Sequence, residues 1–387
     1  MYFNSYVFIL FFLPLSVIGY FLLQKRGWRK AAAVYIIGMT LWFCGYGNPW
    51  NTVIFVLLIF INYGFVILLR QKRNRTEAAG SGERVSDTKK GSRQKKWVLT
   101  AGILLDVVIL IFFKFSGRLP LGISFYTFQL IAYLVDTYRA KCEDQTFFEY
   151  LQFMCFFPRF LQGPIVLQED FIPQLRAENR SILSYDHLGR GIYSFALGLG
   201  KKVLLADSLA KIVSQGYADV TALNSTEALL VMVCYSLQLY FDFSGYCDMA
   251  SGIALMFNLN LPMNFNSPYK AASISEFWDR WHMTLTRFFT RYVYIPLGGS
   301  RKGTARTLLN IMIIFLLSGF WHGTNWTFLV WGALHGLCMV FERVTGYEKW
   351  KLPHVLKVAW NFVLTTFAWS IFRAESLSQA GQLWNRL

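Results

Sequence analysis

Charge is the first thing this sequence lacks. Only 16% of its 387 residues are charged, against about 25% in soluble domains, and long stretches hold almost no charge. An ordinary soluble globule is excluded, because several of those stretches approach the ~20 apolar residues that cross a bilayer core as a helix. The six cysteines, Cys44, Cys142, Cys155, Cys234, Cys247 and Cys338, form no Cys-x-x-Cys pair and no framework spacing, which speaks against a zinc site or a disulfide scaffold. His187, His282, His322, His335 and His354 form no i, i+3 or i, i+4 ligand pair, so no metal centre is expected. Gly-x-Ser-x-Gly, Walker and Gly-x-Gly-x-x-Gly motifs are missing too, and with them the usual soluble catalytic signatures. No internal repeat of fixed period is visible, which disfavours an inverted-repeat transporter.

What remains is apolar: 55% of the chain is hydrophobic and 18% aromatic, and the mean hydropathy is positive. The net charge of +16 gathers in short segments between apolar runs, a topological signal rather than a nucleic-acid footprint. Apolar runs at 5–23, 31–45, 52–69 and 97–113 read as spans. The first lacks a basic n-region and a cleavage site, so a cleaved signal peptide is not expected. Segment 71–96 carries nine Lys or Arg against three acids and reads as a flexible cytoplasmic loop. With segment 24–30 also basic and two spans between them, the N-terminus is placed outside. Further apolar segments lie at 121–135, 147–161, 191–205, 228–243, 307–320, 327–341 and 355–372. The short one at 147–161 runs into Gly163 and Pro164 and reads as re-entrant or interfacial. The expectation is an all-α polytopic membrane protein of roughly ten helices, forming one domain over 1–387.

Three places could carry chemistry. In segment 273–301, Ser273 and Glu276 fit a capping box that starts a helix. On that helix Trp278 and His282, four apart, share a face, while Asp279, Arg280, Arg287 and Arg291 spread charge around it. Pattern alone favours an amphipathic helix lying on the membrane. Asp242 and Asp248 follow a long apolar run; an ionisable group at membrane depth costs at least ~2.5 kcal/mol, met either by a basic partner or by a direct role. Finally, "SGFWHGTNW" at 318–326 places His322 at the end of an apolar run, before Gly323. In an apolar lining imidazole stays neutral, the form that accepts a proton from an attacking hydroxyl. A hydrogen-bonded packing histidine is the alternative, and His335 lies thirteen residues on.

Five segments in order resemble the membrane-bound O-acyltransferases, in particular the alginate O-acetyltransferase-like branch: "LPLGISFYTFQLIAYLVDTYRA" (119–140), "FPRFLQGPIVLQEDFIPQL" (157–175), "YFDFSGYCDMASGIALMF" (240–257), "SEFWDRWHMTLTRFFTRYVYIPLGG" (275–299) and "SGFWHGTNWTFLVWGALHG" (318–336). The resemblance implies a helical bundle with re-entrant or interfacial segments and a central tunnel. His322 would be the essential histidine and the base, and His282, the second signature histidine, a second catalytic residue lining the reaction centre. Asp242, Trp278, Arg280, Trp281, Trp321, Asn325 and His335 would bind substrate or support the site. It further implies no bound cofactor, an acyl thioester such as acetyl-CoA as donor, and acetyl transfer toward hydroxyls of an exported polysaccharide. Expected partners are an extracytoplasmic acetyltransferase, polysaccharide-synthesis machinery and membrane lipid, with no nucleic acid, in a bacterial plasma membrane. D-alanyl transfer to teichoic acid is the nearest rival; a transporter or channel, or a non-catalytic scaffold, is the rival from another class. Thr290-Arg291-Tyr292 stands where relatives show Arg-Asp-Tyr, so no carboxylate role transfers there. The chain is also expected to end earlier than its relatives, which continue through further spans.

Overall fold

Among the described residues seven helices are long and apolar enough to cross a bilayer: Phe8–Lys25, Pro49–Gln71, Ser92–Phe115, Ser225–Met256, Thr304–His322, Trp326–Thr345 and His354–Arg373. The computed structural model describes the backbone of residues 1–79, 85–141 and 143–387, and their side chains apart from 72–79, 85–91 and 179. Among the described residues there is no β-strand, only an isolated bridge between Phe265 and Trp281. The outward faces of the long helices carry exposed Phe11, Ile18, Leu104 and Phe112, as a lipid-facing surface requires.

Chain contacts define two compact units, Met1–Tyr193 with Ala250–Pro262, and Ser194–Met249 with Met263–Leu387. The first is held by interlocked rings. Phe8 lies 4.8 Å from Phe3, and Phe157 meets Phe12 edge-on at 5.1 Å, contacts worth about 0.5–1.5 kcal/mol each beyond area burial. Between two of its long helices, Asn62 Nδ2 donates to Asp106 at 2.7 Å, which provides the buried carboxyl with a polar partner.

Segment 147–161 does not continue as one helix. Thr146 and Glu149 form a reciprocal capping box that starts Phe147–Met154, a helix only about 12 Å long at 1.5 Å per residue. The chain then turns through the 3-10 segment Phe157–Arg159. Short helices of this kind raise the number of helical segments above the roughly ten expected from hydropathy. In the segment 71–96, expected as a flexible loop, the helices Pro49–Ala79 and Val85–Phe115 reach into the basic stretch from both sides, as Lys, Arg, Glu and Ala all sustain a helix. Residues 80–84 lie outside the described residues.

The second unit centres on tryptophan. Trp278, Trp281, Trp331 and Trp369 belong to one buried cluster with Phe277, Phe315 and Ala271. The helices Thr304–His322 and Trp326–Thr345 pack as a hairpin whose backbones nearly touch: a Cβ on Gly319 would collide with the Phe328 carbonyl, and one on Gly332 with that of Phe315. Small residues at such crossings allow close helix approach in lipid. Glu342 on the second arm accepts from the backbone N–H groups of Ile274 (2.7 Å) and Ser275 (3.0 Å), satisfying the start of the Ile274–Arg280 helix. Ser273 caps the same helix, accepting from Glu276 N at 3.0 Å, while the Glu276 carboxylate accepts from Ala272 rather than from the capping residue.

The candidate histidine sites

That helix is shorter than its pattern suggests. It ends at Arg280, and a second helix, Met283–Phe289, begins after His282. His282 itself is left-handed, at φ 46° and ψ 48°, a conformation unusual for a residue with a Cβ. Trp278 and His282 therefore do not share a continuous helix face, and both are buried, so the surface-lying amphipathic reading is excluded as well. The break is imposed from outside. Asn264 Oδ1 lies 3.2 Å from Thr284 N, 2.9 Å from Thr284 Oγ1 and 3.1 Å from His282 Nδ1, and Met283 N donates to the Asn264 carbonyl at 3.0 Å.

The Thr284 backbone donor fixes which end of the Asn264 amide is oxygen, so His282 Nδ1 carries the hydrogen and Nε2 is the basic nitrogen of the neutral ring. Phe243 meets the ring edge-on at 4.7 Å. Burial pushes the His282 pKa down to about 3, because desolvation penalises the imidazolium.

His322 is the last residue of the Thr304–His322 helix, and Gly323 continues in extended backbone. Its ring is half-buried, walled by Trp321 at 4.6 Å, Trp331 edge-on at 5.2 Å and Phe372 edge-on at 5.0 Å. Trp331 also touches His335 at 5.1 Å. His335 Nδ1 accepts from Trp278 Nε1 at 3.3 Å, which places its own hydrogen on Nε2. Rings thus connect four residues singled out in the sequence, Trp321, His322, His335 and Trp278, through Trp331, which was not singled out.

Beside them lies a cavity of about 220 Å³ whose lining includes Trp278, Asp279, Thr286, Phe315, Ser318 and Arg343. Burial, with Glu276 and Glu348 nearby, pushes the Asp279 carboxyl above its usual range. Ser318 stands four residues before His322, one helical turn away on the same face.

Other expected site residues are engaged elsewhere. Asp242 pairs with Lys202 at 2.6 Å, and Lys202 also bonds Asp207 at 2.7 Å. Asp248 pairs with Lys201 at 2.6 Å. Arg280 bonds Glu276 at 2.7 Å and reaches the Asn266 carbonyl at 3.4 Å. Trp281 is a core ring, stacked on Phe277 at 5.5 Å and 5.0 Å from Trp369. Asn325 is exposed ahead of the Trp326–Thr345 helix, and its side chain makes no capping bond. Trp331, Phe372 and Asn264 were missed in the sequence: the aromatics resemble any core residue, and Asn264 lies eighteen residues from its histidine. Among the described residues no three His, Cys, Asp or Glu side chains converge as metal ligands.

Comparison with known proteins gives a consistent picture. The profile of the membrane-bound O-acyltransferase family matches residues 9–376. The peptidoglycan O-acetyltransferase of Helicobacter pylori is 35% identical over 98% of this chain and 78% of its own length. The probable alginate O-acetylase AlgI of Pseudomonas aeruginosa is 32% identical over 100% of this chain and 75% of its own. The teichoic acid D-alanyltransferase of Streptococcus thermophilus is 28% identical over 81% and 77%.

Proposed function

Because the chain belongs to the membrane-bound O-acyltransferase family and is an O-acyltransferase with transmembrane helices, we propose that it moves an acetyl group from a cytoplasmic thioester to hydroxyls of an extracytoplasmic glycan, with His322 as general base. One observation carries this reading: the 220 Å³ cavity is lined by Ser318, one helical turn from His322 and on its face of the helix. The cavity's other wall includes Arg343, toward the opposite end of the hairpin. That end is basic, with Arg301, Lys302, Arg306, Lys349 and Lys351 around it, and basic connections face the cytoplasm. The same rule puts the N-terminus outside. A donor such as acetyl-CoA then enters from the Arg343 side, and the reacting carbonyl comes to rest near His322.

There the acceptor oxygen adds to the thioester carbonyl carbon while its proton passes to the uncharged ring nitrogen of His322. The carbon–sulfur bond breaks, and the imidazolium returns that proton to the leaving thiolate. Trp321, Trp331 and Phe372 wall the imidazole with apolar surface, which keeps competing water away from the thioester. His282 and His335 hold neighbouring elements in place rather than exchanging the proton. The acetyl group leaves on the side away from the basic end, toward a glycan hydroxyl or a secreted acetyltransferase. Relatives that act on peptidoglycan and on alginate support a carbohydrate hydroxyl as acceptor.

The test uses purified protein, a labelled acetyl thioester and a His322→Ala variant whose melting behaviour matches wild type. Discharge is expected to fall at least about 100-fold, the low end of general-base effects. Equal discharge by the variant removes His322 from the chemistry. Discharge of a D-alanyl carrier thioester in place of acetyl transfers the assignment to the teichoic acid reaction. Solute flux with no thioester chemistry supports a transporter.

A further inference from the structure

The first unit contains a polar cup, of about 180 Å³, whose wall includes Arg29, Lys30, Arg176, Arg180, Tyr20 and Gln24, with Glu178 as its acid. Arg176 is already satisfied, bonding Glu149 at 2.6 Å and Glu143 at 2.5 Å. Among the described residues no carboxylate bonds Arg29, Lys30 or Arg180. Three cations therefore face one cup with a single acid between them, and mutual repulsion favours an anion there.

One buried polar atom sharpens the picture. Arg180 Nε is buried without a hydrogen-bond partner, its guanidinium 5.6 Å from the Tyr20 ring centroid. A buried donor left without an acceptor is destabilising.

We infer that this cup binds the phosphate group of an anionic ligand, held by Arg29, Lys30 and Arg180. The space accommodates a phosphate together with several waters, and arginine forks match phosphate oxygens. Its place in the chain favours a lipid source. The cup stands where the Phe8–Lys25 span gives way to the Arg29–Gly45 helix, and the ends of spans lie at headgroup level. Exposed Leu22 and Trp28 flank the same turn, as expected at a membrane interface. Free phosphate shares the recognised chemistry.

The experiment is native mass spectrometry of the full-length protein released from detergent, titrated separately with phosphatidylglycerol, phosphatidylcholine and inorganic pyrophosphate. Wild type is expected to retain phosphatidylglycerol at least about fivefold over phosphatidylcholine. The triple variant Arg29→Gln, Lys30→Gln, Arg180→Gln is expected to lose about tenfold in retention, whereas Arg118→Gln, an exposed basic residue of the same unit, changes nothing. Pyrophosphate retained in a triple-variant-sensitive way without lipid assigns the cup to a soluble phosphate and upholds the phosphate site. Equal retention by wild type and the triple variant, or retention of none of the three compounds, overturns it. Thermal unfolding of each variant verifies that the fold survives; should the triple variant fail to fold, Arg180→Gln alone replaces it, with a threefold loss expected.

Discussion

His322 and His282 bear the same side chain in one unit, yet they are built in opposite ways. His282 is 2% exposed, held in left-handed backbone with its tautomer set by Asn264. His322 closes a helix, is half-buried, and has three rings as walls beside a turn of helix that lines a cavity. Both rings are chemically able to accept a proton when neutral. The difference is exposure: a base must come within about 3 Å of the proton it takes, and of the two rings His322 is the partly exposed one. In the proposed reaction, that exposure assigns the base to His322 and a structural part to the sheltered His282.

The largest expected effect sets the two apart by rate. His322→Ala is expected to lower acyl transfer by about 10²–10⁴-fold with an unchanged unfolding midpoint, measured by thioester discharge and by thermal melting in detergent. His282→Asn, chosen because asparagine tolerates left-handed backbone, is expected to lower the midpoint more than the rate. A His282→Asn protein with normal stability and a rate as low as that of His322→Ala breaks the comparison.

The second prediction concerns pH. Folded His282 has its pKa pushed down to about 3, whereas an unfolded histidine titrates near ~6.5. The unfolded chain binds the proton more readily, so the stability attached to the neutral ring is complete above about pH 6.5. It is lost as pH falls toward about 3, at roughly 1.4 kcal/mol per pH unit across that window. The stability difference between wild type and His282→Asn is expected to shrink steadily over that range in detergent melts. A difference that stays constant from pH 7 to 4 shows that the folded ring takes up a proton as easily as the unfolded one.

Asn264 tests what fixes the sheltered histidine. Replacing it with alanine leaves the Thr284 amide, the Thr284 hydroxyl and His282 Nδ1 without their shared acceptor. A loss of about 1–3 kcal/mol is expected, with a fall in activity that follows the loss of folded protein, measured by urea or thermal unfolding alongside the discharge assay. An Asn264→Ala protein as stable as wild type shows that the 281–282 break has another cause.

That break also shows what the sequence could and could not convey. The long spans were legible, because a bilayer demands runs of apolar residues that hydropathy detects directly. His322 was legible as a polar residue closing such a run. The end of the helix at Arg280 was not, since the local spacing of Trp278 and His282 fits one continuous helix and the interruption depends on Asn264, distant in sequence. Trp331 was equally hidden, for one tryptophan among thirteen does not announce that its ring touches both His322 and His335. In the basic segment at 71–96, the charge pattern did not announce that the flanking helices continue into its described parts, 71–79 and 85–96.

Asp242 provides the smallest effect and the finest test of exposure as the criterion. The resemblance to acyltransferases suggested a supporting role beside the histidines, yet its carboxylate is engaged with Lys202 at 2.6 Å while being 39% exposed. Lys202 keeps a second carboxylate, Asp207, at 2.7 Å, so Asp242→Asn leaves the ammonium paired rather than stranded. Such half-exposed pairs contribute about 0–1 kcal/mol and weaken in salt. The expected outcome is a shift within that range, fading further in 0.5 M salt, with acyl transfer within about threefold of wild type. A tenfold loss of transfer at unchanged stability would show that Asp242 acts on substrate despite its ion pair. Exposure of the side chain would then no longer separate the proposed reacting residue from the structural ones.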